Sequence, residues 1–121
     1  MANVNEHVYN SYSIDVYDIL EFIDKLPLVR GSHPYAVSHR STYYEFYAWL
    51  ESRSSVRSSW KSEAIDKCAI LRSTVLDWLK GRAMLSIHER DSARAGTVEA
   101  EREQGRLDGY SKLYDLIYEV F

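Results

Sequence analysis

WKSEAIDKCAILRSTVLDWL, residues 60–79, is the stretch that decides the fold class. Counted from Trp60, the residues Ala64, Cys68, Leu71, Val75 and Trp78 follow at steps of four or three, the spacing that stacks side chains on one face of an α-helix. Ile65, Ala69, Leu76 and Leu79 form a second row beside the first, so the apolar stripe is wider than a lone amphipathic helix needs. A face this broad is covered from more than one direction. The spacing therefore predicts a helix from Trp60 onward and makes this long third helix the central element of a bundle. Gly81 either caps it or is tolerated inside it. Ala83, Met84, Leu85 and Ile87 resume the apolar pattern, and an interior glycine costs only ~1 kcal/mol relative to alanine.

Outward from this segment the helical signals continue. Both prolines, Pro27 and Pro34, precede residue 35, so nothing beyond them forbids a helix. Upstream, Val16, Ile19, Leu20 and Ile23 share one face of a first helix over residues 14–26. Ser13 is its expected cap, Asp15 and Asp18 suit the positive end of the dipole, and Pro27 stops it. Residues 28–41 read as a loop, with Gly31, Ser32 and His33–Pro34 as turn residues. Thr42-Tyr-Tyr-Glu45 matches a capping box that opens a second helix, with Tyr43, Phe46, Tyr47 and Leu50 on one side. That helix ends within 52–55 or runs on through the serine-rich stretch into the third. A fourth helix spans 97–121; Ala100, Leu107, Tyr110, Tyr114, Ile117 and Phe121 lie along a heptad-like seam, with Leu113 and Val120 beside it. Residues 1–12 are polar, with scattered tyrosines, and are expected to be extended or frayed. The expected fold is all-α, a compact bundle of about four helices forming one domain over residues 1–121.

Composition narrows the chemistry. A chain of 121 residues with 45% hydrophobic and 27% charged residues is an ordinary globular domain, long enough to bury roughly two thirds of its unfolded surface. A single cysteine, Cys68, rules out an internal disulfide and a cysteine-built metal site, and its apolar setting reads as a buried thiol. His7, His33, His39 and His88 show no ligand spacing on the expected helices, so neither a metal nor another cofactor is expected. No glycine-rich phosphate loop, G-x-S-x-G elbow, H-E-x-x-H or stand-out carboxylate pair occurs, and the expected protein is not an enzyme. With no long apolar run and no secretion signal, the cytoplasm is the expected compartment.

Three features remain as candidate sites. Ten tyrosines is a high count, and tyrosine, with large contact area and a polar tip, is enriched at interfaces. Tyr35, Tyr43, Tyr44, Tyr47, Tyr110, Tyr114 and Tyr118 are the expected partner-binding residues; the plain alternative places several of them at the rim of the core. The net charge of −3 argues against a dedicated nucleic-acid protein, yet residues 30–61 are locally basic. Arg53, Arg57 and Lys61 fall four apart among six serines, with Arg30 and Arg40 upstream. This row can meet phosphates or can simply be a solvated face. Gly105 and Gly109 lie on one face of the last helix, where they admit a close neighbour or sit harmlessly at the surface. The best-supported expectation is a small adaptor, regulator or inhibitor that docks on a protein partner, as a homo-oligomer such as a dimer. Its size suits a viral or mobile-element accessory protein acting on a host target. The alternative expectation is a nucleic-acid-binding regulator using residues 30–61.

Overall fold

The computed structural model describes residues 12–58 and 69–121. Among them the chain runs β1 (Ser13–Asp15), α1 (Val16–Asp24), α2 (Pro34–Ser58), β2 (Ala69–Leu71), α3 (Arg72–Ser92) and α4 (Val98–Val120). The four helices pack against one another as the all-α expectation requires. Trp60, Lys61, Ala64, Ile65 and Cys68, and with them the reading of Cys68 as a buried thiol, lie outside the described residues, as do residues 1–11.

The opening stretch is not helical throughout. At Ala69–Leu71 the chain is a strand paired antiparallel with β1, in the register Ser13↔Leu71, Ile14↔Ile70 and Asp15↔Ala69. Ile14 and Ile70 turn inward at 6% exposure each, while Leu71, expected in the helical stripe, is 45% exposed. The Arg72 N–H extends the ladder by donating to the Tyr12 carbonyl at 3.0 Å. A three-residue strand gains its stability from a partner far away in sequence, which a local period cannot register. The second and third helices are consequently separate elements, with β2 between them.

α1 buries Val16, Ile19, Leu20 and Ile23 as expected. Its cap is Asp15 rather than Ser13: the Asp15 carboxylate accepts from Tyr17 N–H at 2.9 Å, while Ser13 is in the strand. α2 begins at Pro34, eight residues before the expected capping box. Proline suits the first helical position, where its missing N–H would have no partner anyway, and the His33 carbonyl accepts the first bond, from Val37 N–H at 3.1 Å. Thr42 is therefore mid-helix, and its hydroxyl donates to the His39 carbonyl at 2.7 Å. The loop before α2 is pinned by Arg40, whose Nη1 donates to the carbonyls of Val29 at 2.9 Å and Gly31 at 2.6 Å. Gly31 has φ +125°, a conformation that side-chain-bearing residues avoid.

α3 passes straight through Gly81, and beyond it Met84, Leu85 and Ile87 are exposed rather than core. A turn with Gly96 at φ +81° leads to Thr97, whose hydroxyl accepts from Ala100 N–H at 3.3 Å and starts α4 where expected. The third helix is long, but the shared neighbour of the bundle is α4, which lies along both α2 and α3. Gly105, Gly109, Tyr110, Leu113 and Ile117 face inward from it. A Cβ on Gly105 would overlap the Tyr35 carbonyl oxygen and Ser38 Oγ, and one on Gly109 would overlap Thr42 Oγ1. The two glycines thus let α2 approach α4 at backbone distance. Ser38 Oγ completes this seam by donating to the Arg102 carbonyl at 2.7 Å. At the far end of α4, Phe121 meets Phe22 of α1 edge to face, with centroids 5.5 Å apart.

Candidate functional site

The seven candidate tyrosines do not form one surface. Tyr35 and Tyr110 fasten α2 to α4. The Tyr35 hydroxyl donates to Asp108 Oδ2 at 2.5 Å, and Gln104 Nε2 donates to Asp108 Oδ1 at 2.9 Å. This bond to a carboxylate, then burial and the Asp108 charge, push the Tyr35 pKa up to about 12. Tyr110 donates to Glu45, and at 2% exposure it has no face left for a partner. Burial, followed by the Glu45 bond and charge, raises its pKa, against the opposing charges of Arg82 and Arg106. His39 is buried between Tyr35 and Tyr43, with ring centroids at 6.0 and 5.6 Å, and its Nδ1 has no hydrogen-bond partner among the described residues. Burial lowers the His39 pKa; Asp108 opposes that shift and Lys112 adds to it.

Tyr43, Tyr44 and Tyr47 do come together. With Ile23, Asp24, Leu26 and Leu28 they line an open groove of about 410 Å³ between the end of α1 and α2. Tyr44 is 63% exposed and Leu28 37% exposed. Tyr114 and Tyr118 form a separate stacked pair near the chain end, with centroids 6.2 Å apart. There the guanidinium of the fully buried Arg72 lies 4.6 Å from the Tyr118 ring centroid, and Arg72 Nη2 donates to the Tyr118 carbonyl at 2.9 Å.

Of the basic row Arg53, Arg57 and Lys61, only Arg53 is described with its side chain. Arg40 is committed to the loop carbonyls, and Arg30 is exposed in that loop. Lys61 lies outside the described residues, and of Arg57 only the backbone within α2 is described. Arg53 sits over the Trp49 ring at 4.6 Å. It belongs to a cluster that no single stretch of sequence displays. Trp49 of α2 and Trp78 of α3 stack at 4.7 Å with planes 14° apart, and Arg82 lies 5.1 Å from the Trp78 centroid. On α4, Arg106 approaches Glu45 at 3.9 Å. Trp78 reads locally as a core residue, and only the packing of three helices shows its neighbours.

Among the described residues no group of three or more His, Cys, Asp or Glu is placed to hold a metal ion, and no helix is long and apolar enough to cross a membrane. No protein family matches the sequence, and neither the curated proteins nor the solved structures contain a match.

Proposed function

We propose that the protein is a small non-enzymatic docking module that takes an apolar segment of a protein partner into the groove between α1 and α2. The observation that supports this reading is the convergence of Tyr43, Tyr44 and Tyr47 with Leu26 and Leu28 on an open apolar groove. Leaving Tyr44 mostly in water gains the fold nothing, whereas a tyrosine ring at a groove offers area at low entropic cost to a binder. A volume of about 410 Å³ accommodates one or two large side chains. Asp24 at the rim places negative charge beside the apolar lining, so the preferred segment carries an apolar or aromatic anchor next to a basic residue.

A peptide-display selection against the folded protein tests this. Enriched peptides should share the anchor-plus-basic pattern, and Tyr44→Lys or Leu28→Asp should abolish their binding without changing the circular dichroism spectrum. Light scattering at high protein concentration tests a second copy of the chain as the occupant, because the same variants should then dissociate the dimer. Selected peptides of no common pattern, or binding indifferent to both variants, would overturn the proposal.

A further inference from the structure

We infer that the arginine-capped tryptophan pair where α2, α3 and α4 meet is a stacking site for single-stranded nucleic acid. Phe46 anchors the site from below: it lies roughly parallel to Trp78 at 5.8 Å and to Trp49 at 6.2 Å, and Tyr110 meets Trp78 edge-on at 5.9 Å. The two tryptophans are thus held by the core, yet both remain partly exposed. Their outer side is covered by Arg53 and Arg82, which are themselves exposed. An exposed cation–π contact is weak, so either guanidinium yields its place over a ring at little cost.

The electrostatics favour an anionic ligand. Arg53 and Arg82 come from two different helices, and the nearby carboxylate of Glu45 has both oxygens engaged, one by Tyr110 and one by Arg106. When Arg53 and Arg82 swing off the rings, the uncovered aromatic faces match the bases of a strand while the displaced guanidinium groups meet its phosphates. A duplex hides its base faces and fits poorly. An acidic peptide would use the arginines and leave the rings idle. Among the described residues no side chain here is arranged to read base edges, so binding is expected to be independent of sequence. The net charge of −3 makes it weak and sensitive to salt.

The test uses the full chain with Trp60→Phe, which leaves Trp49 and Trp78 as its tryptophans. Titration with an oligothymidylate of about 16 nucleotides at low salt should quench their fluorescence to saturation. The logarithm of affinity should fall with log salt at a slope of about −1.4, as expected for the two phosphate contacts of Arg53 and Arg82 on a single strand. Arg53→Glu with Arg82→Glu should weaken binding about tenfold or more at an unchanged melting temperature. Should that variant unfold, Arg53→Gln with Arg82→Gln supplies the same comparison. Polyglutamate of matched charge should neither quench nor compete. Absence of quenching at low salt, binding indifferent to the arginine changes, or competition by polyglutamate as strong as by the oligonucleotide would each overturn the inference.

Discussion

α2 meets its neighbours in two different ways along its length. Its first half lies against Gly105 and Gly109 of α4, so close that no Cβ fits, with Tyr35, Ser38 and Glu45 hydrogen-bonded across the seam. Its second half meets α3 through Phe46, Trp49 and Trp78, large rings that hold the backbones apart and end in exposed arginines. The glycine seam gains its stability from backbone proximity and satisfied polar groups. The tryptophan seam buries apolar area at its base but leaves ring edges and cations in contact with solvent. The first seam is built on backbone proximity, and the second leaves aromatic edges and guanidinium groups within reach of solvent.

Perturbations of the two seams should rank accordingly. Phe46 is fully buried beneath the tryptophans, and Phe46→Ala should cost about 3–5 kcal/mol in denaturant unfolding. A loss below about 1 kcal/mol would mean that the ring pair is not built on this core. On the glycine seam, Tyr110→Phe removes the bond to Glu45 and should cost about 1–2 kcal/mol.

Sensitivity to pH should also belong to the glycine seam. Tyr35, pushed up to about 12, keeps its proton in the fold while the unfolded chain releases it near 10. Stability is therefore present below pH ~10 and lost as pH rises from there toward 12. Tyr35→Phe should reduce this loss in alkaline melts, leaving the part that comes from Tyr110, whose pKa is raised by burial and the Glu45 bond. His39 has the opposite sign. Its lowered pKa lets the unfolded chain bind a proton first, so stability falls as pH drops below about 6.5, and His39→Gln should blunt that fall. The smallest effect is expected at the exposed end of the tryptophan seam, where Arg53→Ala should change stability by no more than about 0.5 kcal/mol.

The legible parts of this fold were those whose causes are local. Val16, Ile19, Leu20 and Ile23 display their face within one helix, and the last helix begins at Thr97, where its own pattern starts. Pro34 opens a helix where its setting suggests a turn, because one residue type does both, and its role depends on the His33 carbonyl and the helix that follows. Residues 69–71 look helical from their own spacing, and the strand exists because Ile14 pairs with Ile70 across the chain. The glycine pair was visible, but its meaning required knowing that Tyr35, Ser38 and Thr42 lie opposite. Of the seven candidate tyrosines, Tyr43, Tyr44 and Tyr47 share a groove because they fall within about one turn of α2. The arginine–tryptophan cluster was not legible, since Trp49, Trp78 and Arg106 come from three helices and no spacing within one of them announces it.

The central claim is that α4 is the spine and that α2 rests directly on its glycines. Thermal melts of Gly105→Ala and Gly81→Ala test it most directly, because alanine favours helix over glycine by ~1 kcal/mol at either position. Gly81 has open space around it, so Gly81→Ala should raise the melting temperature by a few degrees. Gly105→Ala drives a methyl into the Tyr35 carbonyl and should lower it by about 10 °C. Equal stabilisation by both substitutions would contradict the close approach of α2 to α4 and the bundle built on it.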